Sequence, residues 1–235
     1  MEIEVKEASR RLGVNDSRVR QLLRAGDLRG RHVGNSWLIL ADDVARLERI
    51  GRRPGRPLAP KRAWAVIDLL EGGGARWLPD SARSQVRNRL EGLDAPSSSE
   101  WLALLRGRSH VLEVVGHPAA LERLRRVKGV CAAGAAAAGG RGFDLVVLAD
   151  RVPEYYVADG HWDQLASSLA LHESREPNVR IRIPREIWPF SDEGQPVPNA
   201  ALAADLLESP EPRSVSAGAE RLKQLLAEWQ QGRRR

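Results

Sequence analysis

Three polar side chains near the N-terminus have the types and the spacing needed to read bases in duplex DNA. Arg18, Gln21 and Arg24 lie three residues apart, so a helix over residues 17–25 would carry them on one face. An arginine can donate two hydrogen bonds to guanine in the major groove, and a glutamine can recognise adenine there. The pattern therefore indicates a recognition helix.

The opposite face of the same segment is apolar. Val19, Leu22 and Leu23 follow the i, i+3, i+4 spacing of a buried helical stripe, and Asn15 or Asp16 can cap its start. A helix enters the major groove only when the protein buries its back and points its polar front toward the bases. The segment meets both conditions.

Neighbouring segments predict the elements that would hold this helix in place. Apolar residues around positions 5–14 predict a short first helix, which Gly13 ends in a left-handed conformation. Residues 29–40 predict a hairpin that turns at Gly34-Asn35. Residues 42–49 predict a third helix, whose acidic residues suit its N-terminus.

Polar residues of the hairpin extend this candidate surface. Arg29, Arg31 and His32 at its base can reach phosphate or the minor groove, as can Asn35 at its tip. The complete candidate DNA-binding set is Asn15, Ser17, Arg18, Arg20, Gln21, Arg24, Arg29, Arg31, His32, Asn35, Arg52, Arg53 and Arg56.

Residues 51–62 differ in composition from the segments on either side. They contain three prolines, two glycines and five basic residues but no acidic residue, which predicts an extended basic linker. Residues 53–57 resemble an AT-hook, whose Gly-Arg-Pro core lies in a narrow minor groove, with Pro54 in place of that family's arginine. The alternative is a tether whose arginines contact phosphates of any sequence.

The charge distribution predicts a basic head on a near-neutral body. Residues 1–62 hold 15 Lys or Arg against 8 Asp or Glu, whereas residues 63–235 hold 22 against 23. Such a head is typical of a module that binds a polyanion. The sequence thus predicts a DNA-binding domain over 1–50, the linker over 51–62, a regulatory body over 63–230 and a basic tail over 231–235.

Composition excludes several other classes. The single cysteine, Cys131, allows neither an intrachain disulfide nor a zinc site of several thiolates. The longest uncharged stretch, residues 129–140, is too short for a membrane helix, and the first residues lack the features of a signal peptide. We therefore expect a cytoplasmic protein that does not contact the membrane.

The body is predicted to mix helices with short strands. Helical patterns fall at 64–70, 81–90, 119–127, 162–171, 200–208 and 214–230, and Ser97 with Glu100 forms a capping box before one more helix. Short strands are predicted at 111–115, 145–148, 155–157 and 178–183. The expected fold class of the chain is α+β.

Few residues of the body suggest catalysis. Asp144 and Asp150 flank an apolar segment and could bind a metal ion for nuclease chemistry, but no Glu-x-Lys motif follows them. Arg180 and Arg182 share one face of a predicted strand, which fits phosphate binding or, more simply, a solvent-exposed face. We therefore expect a protein that is not an enzyme and that needs no cofactor or metal ion.

The last predicted helix carries a short heptad seam. Val215, Ala219, Leu222, Leu226 and Trp229 are spaced alternately four and three residues apart. A seam of this length can pack on the body of its own chain or join two copies in a homodimer, and both interpretations stay open.

Residues 3–50 resemble the winged helix-turn-helix of excisionase and MerR-type proteins. The resemblance lies in residues 14–28, in Val33-Gly34-Asn35-Ser36-Trp37 and in Ala41-Asp42-Asp43-Val44. It implies a recognition helix over 17–24 and a wing over 29–40, both of which contact double-stranded DNA.

Three stretches of the body resemble the C-terminal part of AbiEi-like antitoxins, which pair with nucleotidyltransferase toxins. The stretches are residues 129–137; Tyr156-Val157 with Leu165, Leu171 and residues 177–182; and residues 203–209 with Pro212-Arg213 and Leu225-Leu226. The resemblance implies a transcriptional autorepressor whose body neutralises a toxin or is expressed with one.

These patterns together predict an antitoxin-type repressor that binds its own promoter. A single module of this kind makes few base contacts, so specificity is expected to need a dimer or inverted half-sites. Two alternatives use the same head, namely a ligand-sensing repressor and an excisionase-like recombination factor. A third is a metal-dependent nuclease built on Asp144 and Asp150.

Overall fold

The computed structural model describes residues 2–24, 28–34, 36–50, 57–145, 151–190 and 196–233. The chain divides into two units, Met1–Gly55 and Arg56–Arg235. Both units contain helices and a sheet, which confirms the predicted α+β class. In the part of the chain that the structure describes, no helix has both the length and the apolar character needed to cross a membrane.

The N-terminal unit combines three helices with three short strands. These elements are β1 (Glu2–Glu4), α1 (Val5–Leu12), α2 (Asp16–Arg24), β2 (Gly30–Val33), β3 (Ser36–Leu40) and α3 (Ala41–Ile50). The predicted helices and hairpin are confirmed, and Gly13 ends α1 at a φ of 62° as expected of a left-handed cap. The prediction missed β1 because three residues are too few to show an alternating pattern.

The three strands form an antiparallel sheet in the order β1-β3-β2. The sheet and the helices share a small core made of Ala8, Val19, Leu22, Leu28, Ile39 and Val44. Because Val19 and Leu22 lie in this core, the polar face of α2 points away from the unit.

The C-terminal unit contains eight α-helices and five strands within its described residues. They are α4 (Pro60–Leu70), α5 (Asp80–Glu91), α6 (Ser98–Leu105), β4 (Ser109–Val115), α7 (Pro118–Leu124), β5 (Cys131–Ala133), α8 (Gly134–Ala138), β6 (Glu154–Tyr156), α9 (Asp159–Ser168), β7 (His172–Glu173), β8 (Val179–Pro184), α10 (Asn199–Leu207) and α11 (Pro212–Arg233). The capping box of Ser97 and Glu100 is confirmed at the start of α6. The predicted strand over 145–148 falls mainly on residues outside the described ranges.

The five strands of this unit form one sheet in the order β5-β6-β8-β4-β7. β6 and β8 run parallel, and the other neighbours are antiparallel. One face of the sheet packs on a cluster that includes Val114, Val179 and Ile181, together with residues of α7 and α9. The larger core of the unit is built mainly from α4, α6, α10 and α11.

Two predicted boundaries in this unit are wrong. The linker prediction over 51–62 extends too far, because α4 already begins at Pro60 and Leu58 packs against the larger core. A proline is accommodated in the first turn of a helix, where its missing N–H is not needed. The basic tail prediction over 231–235 is also too long, because α11 runs to Arg233, whose guanidinium pairs with Glu91 at 2.8 Å.

The heptad seam of α11 packs on its own chain. Leu222 and Leu226 are buried in the larger core, and Val215, Ala219 and Trp229 pack against that core while half-buried. A homodimer through the C-terminal helix would therefore need a surface other than the predicted seam.

Candidate nucleic-acid interface

The polar face of α2 is exposed, whereas its apolar face is buried. Val19 has no exposed surface, and Leu22 has little. The exposed residues of this helix are Ser17, Arg18, Arg20, Gln21 and Arg24. A helix divided in this way can enter a major groove without disturbing the core behind it.

Asn15 caps the start of α2. Its side-chain oxygen accepts a hydrogen bond from the backbone N–H of Arg18 at 2.8 Å. Its carbonyl oxygen accepts from the N–H groups of Arg18 and Val19, at 3.0 and 3.2 Å. Such a cap stabilises a helix by about 1 kcal/mol. Asn15 belongs to the predicted DNA-binding set, and here its side-chain oxygen fixes the helical turn that carries Arg18.

Arg18 and Gln21 interact with each other across one helical turn. The Nη1 group of Arg18 donates a hydrogen bond to Oε1 of Gln21 at 3.0 Å. Both side chains line a shallow open depression together with Val14, Asn15 and Ser17. The N-terminal part of α2 therefore presents a defined set of hydrogen-bond donors.

Arg29 is tied to the first turn of α3. Its backbone N–H and its Nε and Nη2 groups donate to the carboxylate of Asp43 at 2.8, 3.0 and 2.9 Å. Asp43 is buried, whereas the Arg29 side chain is largely exposed. The predicted contact of Arg29 with phosphate therefore competes with an ion pair that fixes the start of the hairpin to α3.

Arg31 is paired with the N-terminal strand. Its Nε group lies 2.9 and 3.2 Å from the two carboxylate oxygens of Glu2, and its Nη2 group lies 2.8 Å from the second. Hydrogen bonding to Arg31 lowers the pKa of Glu2, and the same bond raises the pKa of Arg31. Because both groups lie at the surface, where ion pairs are weak, a phosphate can replace the carboxylate.

Replacing Glu2 with glutamine is expected to increase the affinity for DNA of any sequence. The change releases Arg31 from a competing carboxylate, so one more cation becomes available to phosphate. The slope of log affinity against log salt concentration should become steeper by about 0.9. Filter binding of a non-specific duplex at several salt concentrations would measure it, with Glu7→Gln on α1 as the matched control. If the slope does not change, Arg31 does not contact phosphate and the prediction is wrong.

Sequence reasoning missed the role of Gly30 in the hairpin. A Cβ atom at this position would lie 2.7 Å from the carbonyl oxygen of Leu38 and 3.1 Å from Cδ2 of Leu23. Because the nearest obstacle is the backbone of β3, only glycine fits here without a backbone shift, and Leu23 of α2 also lies against this position. Two residues along the hairpin, the rings of the cross-strand pair His32 and Trp37 pack edge to face with centroids 5.1 Å apart.

The structure does not bring all predicted residues together. Asn35, Arg52, Arg53 and Arg56 lie outside the described residues, so the hairpin tip, the AT-hook resemblance and the basic tether stay predictions. Asp144 is exposed, and Asp150 also lies outside the described residues. Within the described ranges, no group of three or more His, Cys, Asp or Glu side chains could hold a metal ion.

The prediction that Arg180 and Arg182 form a solvent-exposed face is wrong. Arg182 is buried at 1 % exposure, and the Arg180 side chain is 21 % exposed. The reason is that acidic side chains lie against both guanidinium groups, and Asp205 of α10 approaches Arg182 at 3.4 Å. Apolar side chains pack on the other face of β8. Arg182 donates to Glu154 at 2.7 Å and to Glu208 at 2.5 Å. Arg180 donates to Glu154 and to Glu113, at 3.2 and 3.1 Å.

A second buried arginine joins the same polar network. Arg108 donates from Nη2 to Asp205 and from Nη1 to Glu208, each at 2.6 Å. Asp205 also accepts from the hydroxyl of Tyr156 at 2.5 Å. Asp205 is the single charged residue of α10, and this is the signal in the sequence that points to the network.

The charges of the network determine the protonation of its acids. Burial by itself would raise the pKa of Glu208, but the guanidinium groups of Arg108 and Arg182 outweigh burial and lower it. The stability that this carboxylate contributes is therefore present above its ordinary pKa and is lost as the pH falls through the lowered value. Burial, together with the charge of Asp205, raises the pKa of Tyr156, so its hydroxyl stays a donor.

Comparison with known proteins gives a result for the N-terminal unit alone. Residues 3–49 match the family model of a helix-turn-helix domain. No curated protein and no solved structure gives a significant match to the chain. The match spans α1, α2, the hairpin and nearly all of α3, which are the elements that present the exposed face of α2. The N-terminal unit is therefore a helix-turn-helix domain of the kind that DNA-binding regulators and excisionase-like factors use.

Proposed function

We propose that the protein is a transcriptional repressor whose N-terminal unit reads a short operator in its own promoter. The observation that carries this proposal is the division of α2, which buries Val19 and Leu22 and exposes Arg18, Gln21 and Arg24. Because one such helix contacts few base pairs, we propose that two copies bind inverted half-sites. The contacts between the copies would lie outside the buried seam of α11.

Replacing Arg18 with alanine tests this proposal. The variant loses a base contact, so its affinity for the operator is expected to fall by about 1–3 kcal/mol, while its affinity for unrelated duplexes changes little. Gel shifts with the promoter duplex and with a scrambled duplex of equal length would measure both values. Equal affinity for the two duplexes before and after the change would contradict the role of Arg18.

We propose that the three arginines within residues 52–56 add affinity for DNA of any sequence. Replacing Arg52, Arg53 and Arg56 with glutamine should weaken binding to every duplex and flatten the salt dependence, by about 0.9 in slope for each lost phosphate contact. Gel shifts at several salt concentrations would measure the slope. A slope equal to that of the wild type would contradict a tether, and a loss confined to A·T-rich duplexes would favour the AT-hook.

We further propose that the C-terminal unit is the regulatory part of an AbiEi-like antitoxin. The proposal is supported by the resemblance of three separate stretches and by their contacts with one another. Gly134, Tyr156 and Arg182 come from two of these stretches, and all three approach Asp205 of the third. Co-purification with the product of a neighbouring nucleotidyltransferase gene would test it. An integrase gene at that place would favour an excisionase-like factor instead.

We propose that the protein acts by binding and not by catalysis. Asp144 and Asp150 are the two acids considered for a nuclease. Asp144 lies within the described residues, where it is exposed in the segment that follows α8. Incubation of the full chain with duplex DNA and Mg²⁺ or Mn²⁺ tests the alternative. Cleavage that Asp144→Asn abolishes would overturn the proposal.

A further inference from the structure

The hydrogen bond between Arg18 and Gln21 affects what each side chain can read. A glutamine recognises adenine by accepting a hydrogen bond at its amide oxygen and donating one from its amide nitrogen. In the structure the amide oxygen of Gln21 already accepts from Arg18 at 3.0 Å. This bond occupies one of the two acceptor positions of the oxygen and fixes the orientation of the amide, so Gln21 is oriented by Arg18 before any base is bound.

The same hydrogen bond leaves Arg18 suited to guanine. A guanidinium group has five N–H donors in one plane, and the bond to Gln21 uses one of them. Guanine presents two acceptors, O6 and N7, side by side in the major groove, and a planar fork of donors matches them. Arg18 has no carboxylate partner among the described residues, in contrast to Arg29 and Arg31.

The surroundings of the pair favour a fixed geometry. Asn15 holds the backbone of Arg18 at the first turn of α2, and Gln21 holds the end of the Arg18 side chain. An arginine that is already oriented loses less conformational freedom when it binds a base. The pair also lines the open depression at the N-terminal part of α2, which is the part of a recognition helix that meets base edges.

We propose that Arg18 and Gln21 read a single guanine as one unit, with Arg18 as the contacting residue and Gln21 as the positioning residue. This inference rests on the proposed function and names the base that the site recognises. It replaces the independent reading of guanine by Arg18 and adenine by Gln21. The operator should therefore contain a G·C pair whose recognition depends on both side chains.

The test begins with selection of duplexes from a random library by the full chain. Dissociation constants are then measured for the selected site and for the same site with its Arg18-dependent G·C pair changed to A·T. We expect the wild type to prefer G·C by roughly 10- to 100-fold, and Arg18→Ala to remove the preference. Gln21→Ala should reduce the preference at that same base pair by roughly threefold to tenfold.

Three further variants separate a positioning role from other roles. The double variant of Arg18→Ala and Gln21→Ala should discriminate no worse than Arg18→Ala alone, because the two residues act together. Gln21→Glu keeps an acceptor for Arg18, so it should retain the preference for G·C while weakening binding to every duplex. Arg10→Gln on α1 is the matched control for charge, because Arg10 is exposed and lies outside the candidate DNA-binding set, and it should leave the preference unchanged.

The outcomes that contradict this inference differ from those that contradict the proposed function. If Gln21→Ala changes the preference at a different base pair, or if its effect adds to that of Arg18→Ala, Gln21 reads a base of its own and the inference is wrong. Loss of the G·C preference in Gln21→Glu would also overturn it. If the wild-type chain selects no sequence, the proposed function itself fails.

Discussion

Replacing Asp205 with alanine is expected to lower the free energy of unfolding of the C-terminal unit by about 3–5 kcal/mol. The carboxylate accepts hydrogen bonds from Arg108 at 2.6 Å, from the Tyr156 hydroxyl at 2.5 Å and from the N–H of Gly134 at 3.2 Å. The Nε group of Arg182 lies 3.4 Å from the same oxygen that Arg108 contacts. Alanine would leave buried donors unsatisfied and would remove a negative charge beside two buried guanidinium groups.

Unfolding of the full chain by urea, followed by tryptophan fluorescence, would measure this loss. Trp64 lies in the same core, and its indole N–H donates to the carbonyl of Arg108 at 2.9 Å, so its emission reports on the network. Glu122→Ala is a suitable control because Glu122 forms an ion pair with Arg125 at the surface, and we expect a change of less than about 1 kcal/mol. If both variants lose the same stability, the network contributes no more than a surface ion pair.

Replacing Gly218 with leucine is expected to destabilise the same unit by about 3 kcal/mol. Gly218 lies where α11 crosses α10, and a Cβ atom there would be only 2.5 Å from the carbonyl oxygen of Ala203. It would also lie 3.0 Å from Cβ of Leu206. Since the nearest obstacle is backbone, the two helices would have to separate, and Gly218→Ala should already show part of the loss.

Gly232 provides the matched control for this prediction. It lies in the same helix, and a Cβ atom there would meet no atom within 4 Å. Because leucine and alanine favour helix over glycine by up to about 1 kcal/mol, substitution at Gly232 should leave stability unchanged or raise it slightly. Urea unfolding of the four variants compares the two positions. Equal effects at Gly218 and Gly232 would mean that the close crossing does not limit side-chain size.

Local patterns were sufficient to predict much of the N-terminal unit. The stripe of Val19 and Leu22, the left-handed cap at Gly13 and the hairpin around Gly34 each depend on residues within a few positions of one another. Helix periodicity, caps and tight turns are set by such short-range interactions. For the same reason the exposed face of α2 could be named from the sequence.

The partners of the charged residues could not be predicted in this way. Arg29 and Arg31 are predicted to reach phosphate from the base of the hairpin, but the fold places Asp43 and Glu2 beside them. The residue type determines which hydrogen bonds and ion pairs a side chain can form. Its neighbours in the fold determine whether its donors are already paired within the protein. The network around Arg182 shows the same effect more strongly, because an alternating strand pattern predicts a solvent-exposed face only if nothing packs on it.

The amino-acid sequence alone thus specified most of the helices, the hairpin, the basic N-terminal unit and the polar side chains that α2 exposes. The tertiary structure determined which of those side chains are paired, which acids surround Arg182, and why Gly30 and Gly218 must be small. Arg108 and Asp205 are 97 residues apart in the chain, yet their side chains meet at 2.6 Å. Such a contact produces no recognisable pattern in the sequence near either residue, because its energy depends on how distant segments pack and not on the order of neighbouring residues.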